Sequence, residues 1–395
     1  MSYPHRLERL RAWLEAYRID GLLISQPESR YYLSGYTGHD LPPRDSAGYL
    51  LITASQAMLL TDPRTAEQAS NESPDFEVIT YASGSRGPQA AAERAAQVGI
   101  RRLGFESIHL PYAIWEEIRR DLPASIEFVP VARLVDELRV IKDAAELGEL
   151  QAAVDVLDRC LANVLQRIEP GLTERHVARM VELYLIEHAD GPSFPSIVAS
   201  GPNASVPHAV PSDRGIGQGE PLKIDIGARV NGYCSDMTRT VCLGQPRDAR
   251  LVELHALVLE AQREAERQVR PGMTGREGDA LAREVIRRAG YGEAFTHGLG
   301  HGIGLEVHEP PWLSPSRGDD ALRAGMVFSV EPGVYLPGWG GVRIEDLVVL
   351  ETDGARVLCR SPKELSVGLP RGAQRSAGSG SGAASSILAG GVRES

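Results

Sequence analysis

PGLTERHVARMVELYLIEHADG, residues 170–191, is answered by PGMTGREGDALAREVIRRAGYG at 271–292, 101 positions further along the chain. Each copy opens on Pro-Gly and sets a threonine, Thr173 or Thr274, directly before a helical pattern, where its hydroxyl can accept from free backbone N–H groups. A long amphipathic helix precedes each copy. The first of these carries a capping-box spacing, Asp143 with Glu146, and then Leu147, Leu150, Val154, Leu157, Leu161 and Val164 at helical intervals. Further on, GEPLKIDIG (219–227) answers GMVFSVEPG (325–333), keeping both glycines, the alternating apolar residues and one acid. His208 and His308 fall 100 apart, each ahead of its strand. The double period predicts one domain built from two ααββ halves related by an approximate two-fold.

Upstream, GLLIS (21–25), GYLLIT (48–53), AMLLT (57–61), EVITY (77–81) and RLGFE (102–106) alternate with helical stretches. That alternation predicts a smaller α/β unit with a mixed sheet. No ionisable groups cluster there at catalytic spacing, so scaffold or subunit contact is its expected role. The boundaries read as 1–136 for this unit, 137–368 for the repeated domain, and 369–395 for a Gly/Ser/Ala-rich tail whose composition predicts disorder. The class is α+β.

The bulk properties exclude several functions. A net charge of −11 over 395 residues leaves no basic stripe for nucleic acid and suits an anionic membrane poorly. No apolar run approaches the roughly 20 residues of a spanning helix. The first residues carry charge where a secretion signal needs an apolar stretch. Cys160, Cys234, Cys242 and Cys359 follow neither zinc-site nor CxxC spacing, so buried thiols in a cytoplasmic protein are expected.

LKIDIGARVNGYCSDMTRTV (222–241) reads as a hairpin, with Asn231-Gly232 the favoured type I′ turn pair. If that pair is the whole loop, Asp225 lies opposite Thr238, and Asp236 is its diagonal neighbour on the same face, about 7–8 Å away. Two acids on one face of a strand flanked by Ile224 and Ile226 repel each other unless a cation sits between them. The second half supplies Glu331, at the repeat position of Asp225, and Glu345 inside the apolar run GVRIEDLVVL, with Asp346 expected on the opposite face. Four carboxylates carry −4, which two divalent cations cancel. Hard oxygen donors suit Mn²⁺, Co²⁺ or Zn²⁺.

FTHGLGHGIGLEVHE (295–309) holds His297, His301 and His308 among four glycines. The first two histidines are four apart, a helical zinc spacing, but each glycine costs a helix about 1 kcal/mol, so an extended segment is expected. With this motif the chain resembles the M24 "pita-bread" metallopeptidases, the group that includes methionine aminopeptidase, aminopeptidase P and prolidase. NASVPHAVPSDR, IDIGARVNGYCSDMTRTV, HGLGHGIGLEVHEPP, GMVFSVEPGVY and GVRIEDLVVL are most similar to the Xaa-Pro peptidase branch, over roughly residues 5–365. The resemblance implies a pita-bread domain behind a creatinase-like N-terminal domain. It implies five metal ligands: Asp225 on one ion, Asp236 and Glu345 between the two, His301 and Glu331 on the second. It also implies that His208, His297 and His308 line the substrate pocket, and that the protein is a homodimer.

The implied chemistry is hydrolysis of the Xaa-Pro bond, with two cations acidifying a water, Glu331 accepting its proton, and His208 and His308 facing the tetrahedral oxyanion. That bond is a tertiary amide without an N–H, so Tyr335 and Trp312 are expected to pack the proline ring. A dipeptidase must read a free carboxylate, and Arg343 and Arg317 are candidates, as are Asp40 and Arg44 of the loop GYTGHDLPPRDSAGY (35–49), expected to close over a neighbouring subunit's pocket. The expected substrate is a proline-containing dipeptide. An aminopeptidase acting on longer peptides is the alternative, and an inactive binding protein of the same fold a remote one. Lys223 stands where an apolar residue is more usual, so its strand is expected to be exposed on one face.

Overall fold

The computed structural model describes residues 3–40, 46–82 and 86–368; the expected tail at 369–395 lies outside them. The N-terminal unit is built on a mixed six-stranded sheet in the order Glu77–Thr80, Ala57–Thr61, Tyr49–Thr53, Gly21–Ile24, Arg102–Glu106, Glu127–Val131. Five of these strands are the apolar runs of the sequence. The sixth, Glu127–Val131, pairs parallel to Arg102–Glu106 at the sheet's end, where Pro130 is tolerated because an edge strand need not donate on both sides. Leu7, Leu10 and Leu14 of the first helix, Tyr3–Ala16, are buried against this sheet's core.

The repeated domain follows its predicted plan. Helices Ala144–Leu165 and Glu174–His188 precede a sheet containing Ile197–Ser200, Leu222–Ile226 and Met237–Leu243. Helices Ala249–Gln268 and Gly275–Arg288 precede a second sheet containing Gly300–Gly302, Val327–Val330 and Asp346–Glu351. Asp143 and Glu146 form a reciprocal capping box. Thr173 accepts from the backbone of His176, and Thr274 from that of Glu277. Each threonine also makes an isolated bridge to its own half, Thr173 to Gly215 and Thr274 to Ala321. The halves meet where the backbone N–H of Glu345 donates to the carbonyl of Thr238 at 3.0 Å.

The hairpin register is the predicted one. Asp225 pairs with Thr238 and Val230 with Tyr233, with Asn231 and Gly232 both at positive φ as a type I′ turn requires. The expectation for Lys223 fails: every residue of Leu222–Ile226 is buried, and Lys223 is fully so. Residues 201–207 fold across that face and supply carbonyls to the ammonium, a long-range covering that strand alternation does not reveal. Cys160, Cys234 and Cys242 are buried free thiols, and Cys359 is a half-buried one. No helix among the described residues is long and apolar enough to cross a membrane.

Candidate metal centre

The two sheets bring their acids to one place. Asp225 comes from the middle strand of the first half, Asp236 from the residue before Met237–Leu243, Glu331 from the end of Val327–Val330, and Glu345 from the residue before Asp346–Glu351. His301 reaches them from the glycine-rich strand Gly300–Gly302. The glycines permit this approach: a Cβ on Gly300 would lie 1.9 Å from the carbonyl oxygen of Ser329, and one on Gly302 2.1 Å from that of Pro310.

Ligand atoms of Asp236, His301 and Glu345 all lie within 4.8 Å of one another. Nε2 of His301 is 3.4 Å from Glu331 Oε1 and 3.7 Å from Asp236 Oδ2. Its Nδ1 faces the carbonyl of Gly302 at 3.1 Å; a carbonyl only accepts, so Nδ1 carries the proton and the Nε2 lone pair points at the carboxylates. Lone pairs aimed at one another this closely require a cation or a proton between them. Burial, and then His308, push His301 down to about 3, which keeps that lone pair free.

The carboxylates tell the same story. Burial first, then Glu345 and Asp225, hold Asp236 well above the ordinary carboxylate range. Burial and then Glu331 do the same to Glu345. Glu331 is pushed up to about 7 by burial, with Arg343 opposing and Asp225 adding. Asp225 Oδ1, Asp236 Oδ1 and Glu345 Oε1 are buried without a hydrogen-bond partner, each such acceptor costing roughly 1–3 kcal/mol if nothing satisfies it. Hard, anionic, unpartnered oxygens beside one imidazole fit a divalent metal. The other Glu345 oxygen accepts from Thr238 Oγ1 at 2.6 Å. Thr238 was not singled out from sequence, although its register opposite Asp225 was the available signal.

A cavity of about 680 Å³ opens over these groups, with His208, His297, His308, Trp312 and Arg317 in its wall. His208 and His308 are exposed to it. His297 lines it too, but Nδ1 lies 2.8 Å from the Gly298 carbonyl and Nε2 2.9 Å from the Tyr335 hydroxyl, so both ring nitrogens are occupied. Tyr335 is thus behind His297 rather than in the cavity wall, and Trp312 is the ring of the expected pair that faces the cavity. Asp346 points away, as expected, to Arg239 at 2.7 Å and to Lys363.

The proposed carboxylate readers are placed differently from one another. Arg343 is buried, and its donors go to Asp225, Thr238 Oγ1 (2.9 Å), the Tyr335 hydroxyl (2.9 Å) and the Pro207 carbonyl (3.3 Å). It lines the cavity and is at the same time the counter-charge of Asp225. Asp40 accepts from Arg30 at 2.9 Å and from the backbone of Ala47 at 2.6 Å within the N-terminal unit, and it does not line this chain's own cavity. Arg44 lies outside the described residues. The Arg317 guanidinium stacks over Trp312, 3.8 Å from the ring centroid, at the exposed rim.

Sequence reasoning also missed the support behind His308. Glu309, the next residue, is buried and accepts from Lys142 Nζ at 2.7 Å and Arg139 Nη2 at 2.5 Å. Both cations come from the segment joining the two units, so the linker holds the start of strand Glu309–Leu313, directly after His308.

Comparison with known proteins agrees with this architecture. The Metallopeptidase family M24 pattern matches residues 148–352, and that of the Creatinase/Prolidase N-terminal domain matches residues 6–141. The chain belongs to metallopeptidase family M24, with the pita-bread domain and N-terminal unit that the sequence resemblance implied. Among its relatives, an Xaa-Pro dipeptidase of Pyrococcus horikoshii is 36% identical over 91% of this chain and 98% of its own length. The solved Xaa-Pro dipeptidase from Bacillus anthracis superposes with a TM-score of 0.87 at 39% identity, covering 93% of this chain and all (100%) of its own. The X-Pro aminopeptidase from Thermotoga maritima gives 0.81 at 36% identity, over 92% of this chain and 100% of its own. Family and carboxylate cluster together imply a divalent metal.

Proposed function

We propose that the protein is an Xaa-Pro dipeptidase that works with two divalent ions, Mn²⁺ by preference and Co²⁺ or Zn²⁺ as substitutes. Asp225, Asp236, His301, Glu331 and Glu345 would hold them. The observation that carries this reading is the set of buried carboxylate oxygens left without partners beneath a cavity lined by histidines. The names of the Pyrococcus and Bacillus relatives support the substrate class. When bound, the ions supply Lewis acidity, which acidifies water and polarises the scissile carbonyl.

The chain's own groups do the rest. Glu331, whose affinity for a proton is raised by burial to about 7, takes the proton of the attacking water and returns it to the proline nitrogen. His208 and His308, exposed in the cavity wall, face the oxyanion. Arg343 neutralises Asp225, and Tyr335 fixes His297. The face of Trp312 receives the proline ring, and Arg317 above it reads the free carboxylate. Residues 1–136 act as the scaffold unit of a cytoplasmic homodimer.

The name of the Thermotoga relative favours a second reading, an aminopeptidase that removes the residue before proline from longer peptides. Metal-replete kinetics on Gly-Pro and Met-Pro against Xaa-Pro-Yaa tripeptides separate the two. Turnover of dipeptides alone supports the dipeptidase, and efficient tripeptide cleavage overturns it.

A further inference from the structure

Lys223 takes no part in the chemistry above, yet it is fully buried on the strand of Asp225, two residues upstream. An ammonium group withdrawn from water is costly unless fixed dipoles replace the lost hydration. Here those dipoles come from one short segment. Nζ donates to the carbonyls of Val206 at 2.6 Å, Pro207 at 3.0 Å and Ala204 at 3.4 Å, and it lies 5.2 Å from the centroid of the Tyr335 ring.

That segment leads directly into His208, which is itself exposed. The loop bearing His208 is held at its two ends by one carboxylate: Glu174 accepts from the backbone of Ser200 at 2.7 Å, from the amide of Asn203 at 3.1 Å, and from the backbone of Ser212 at 3.0 Å. Those anchors leave the middle of the loop to be fixed by something else. The bonds nearest His208 along the chain are those accepted by Val206 and Pro207, from Lys223 and, at 3.3 Å to Pro207, from Arg343. Arg343 is already engaged with Asp225, Thr238 and Tyr335. An apolar residue at 223 would fill the strand position but would leave three carbonyls without that donor.

We propose that Lys223 is a positioning residue: its ammonium ties the 204–207 carbonyls to the strand bearing Asp225 and so fixes His208 over the reacting centre. The inference rests on His208 acting on the substrate as proposed above. It makes His208 and Lys223 one functional unit, coupled through backbone rather than through side-chain contact.

A double-mutant cycle on the metal-loaded full chain tests this, with kcat and KM for Met-Pro measured in Lys223→Met, His208→Ala and the combination. Lys223→Met lowers kcat on the order of 10- to 100-fold, the loss that follows displacing a catalytic group by about 1 Å. Once His208 is alanine the same change costs less than about threefold, because coupled residues are not additive. Equal losses in both backgrounds overturn the proposal, since Lys223 would then act through the general fold. No loss in His208→Ala alone removes the reading beneath it, and the proposal with it. Should Lys223→Met fail to fold, Lys223→Ala with added propylammonium takes its place: recovery of kcat with the amine supports the clamp, and recovery of folding without kcat overturns it.

Discussion

The hydroxyl of Tyr335 lies 2.9 Å from Nε2 of His297, whose other nitrogen faces the carbonyl of Gly298 at 2.8 Å. Since that carbonyl only accepts, Nδ1 bears the proton and Nε2 accepts from the phenol. Burial, and then Arg343, push His297 down to about 3, so the ring stays neutral. Arg343 donates to the same phenol oxygen at 2.9 Å. Tyr335 therefore joins the histidine to the counter-charge of Asp225. Tyr335→Phe deprives both of a partner, and kcat/KM should fall on the order of tenfold for the roughly 1–2 kcal/mol involved. Metal content, measured on the same sample by plasma mass spectrometry, should not change.

Proton release should accompany metal uptake. Burial and mutual repulsion raise Asp236, Glu331 and Glu345, with Glu331 at about 7, so the metal-free centre holds protons at pH 6 that a cation must displace. Calorimetry with Mn²⁺ in buffers of different ionisation enthalpy should show protons leaving, and affinity weakening as pH falls below about 7. A buffer-independent heat would contradict this.

The same shift has a consequence for stability with a definite sign. A carboxyl with a raised folded value favours the fold below its ordinary value of 4.5, and that contribution is lost as pH rises through about 7. Glu331→Gln mimics the protonated form. It should raise the melting temperature of metal-stripped protein more at pH 8 than at pH 5, as read by differential scanning calorimetry at the two pH values.

Much of this centre was legible because it depends on local rules. The Asn231-Gly232 turn sets the register that puts Asp225 opposite Thr238, and the threonine caps mark both helix starts. The glycines beside His301 announced close backbone approach. What escaped depends on contacts between distant segments. Lys223 looked half-exposed because nothing in its strand shows that 201–207 will cover it. The spacing of Arg343 from Glu345 is visible in sequence, whereas its bond to Asp225 is not. The strand Glu127–Val131 escaped because an edge position tolerates Pro130 and little burial.

Glu309 gathers two buried cations, Arg139 and Lys142, each with its side chain 3% exposed or less. Removing the shared anion strips Lys142 of its carboxylate and leaves Arg139 to Glu306 at 2.8 Å, so Glu309→Ala should destabilise by about 3–5 kcal/mol. Urea denaturation of the metal-loaded protein measures this. A loss below about 1 kcal/mol would mean water or Glu306 replaces the carboxylate.

Arg317 is stacked on Trp312 at the rim of the cavity. If it reads the free carboxylate, Arg317→Ala should raise KM for Met-Pro by roughly ten- to a hundredfold, the range for one charge-assisted bond, with kcat less affected. The effect should vanish for the C-terminally amidated dipeptide. Equal effects on both substrates would assign the carboxylate to another group.

The central claim is that the gathered carboxylates exist to hold divalent ions. Metal-stripped protein titrated with Mn²⁺, with bound metal and Met-Pro turnover followed together, tests it most directly. Activity should appear in step with binding, saturate at two equivalents per chain, and be absent with binding in Asp236→Ala. Full turnover by metal-stripped protein, or undiminished Mn²⁺ binding and activity in Asp236→Ala, would contradict the account.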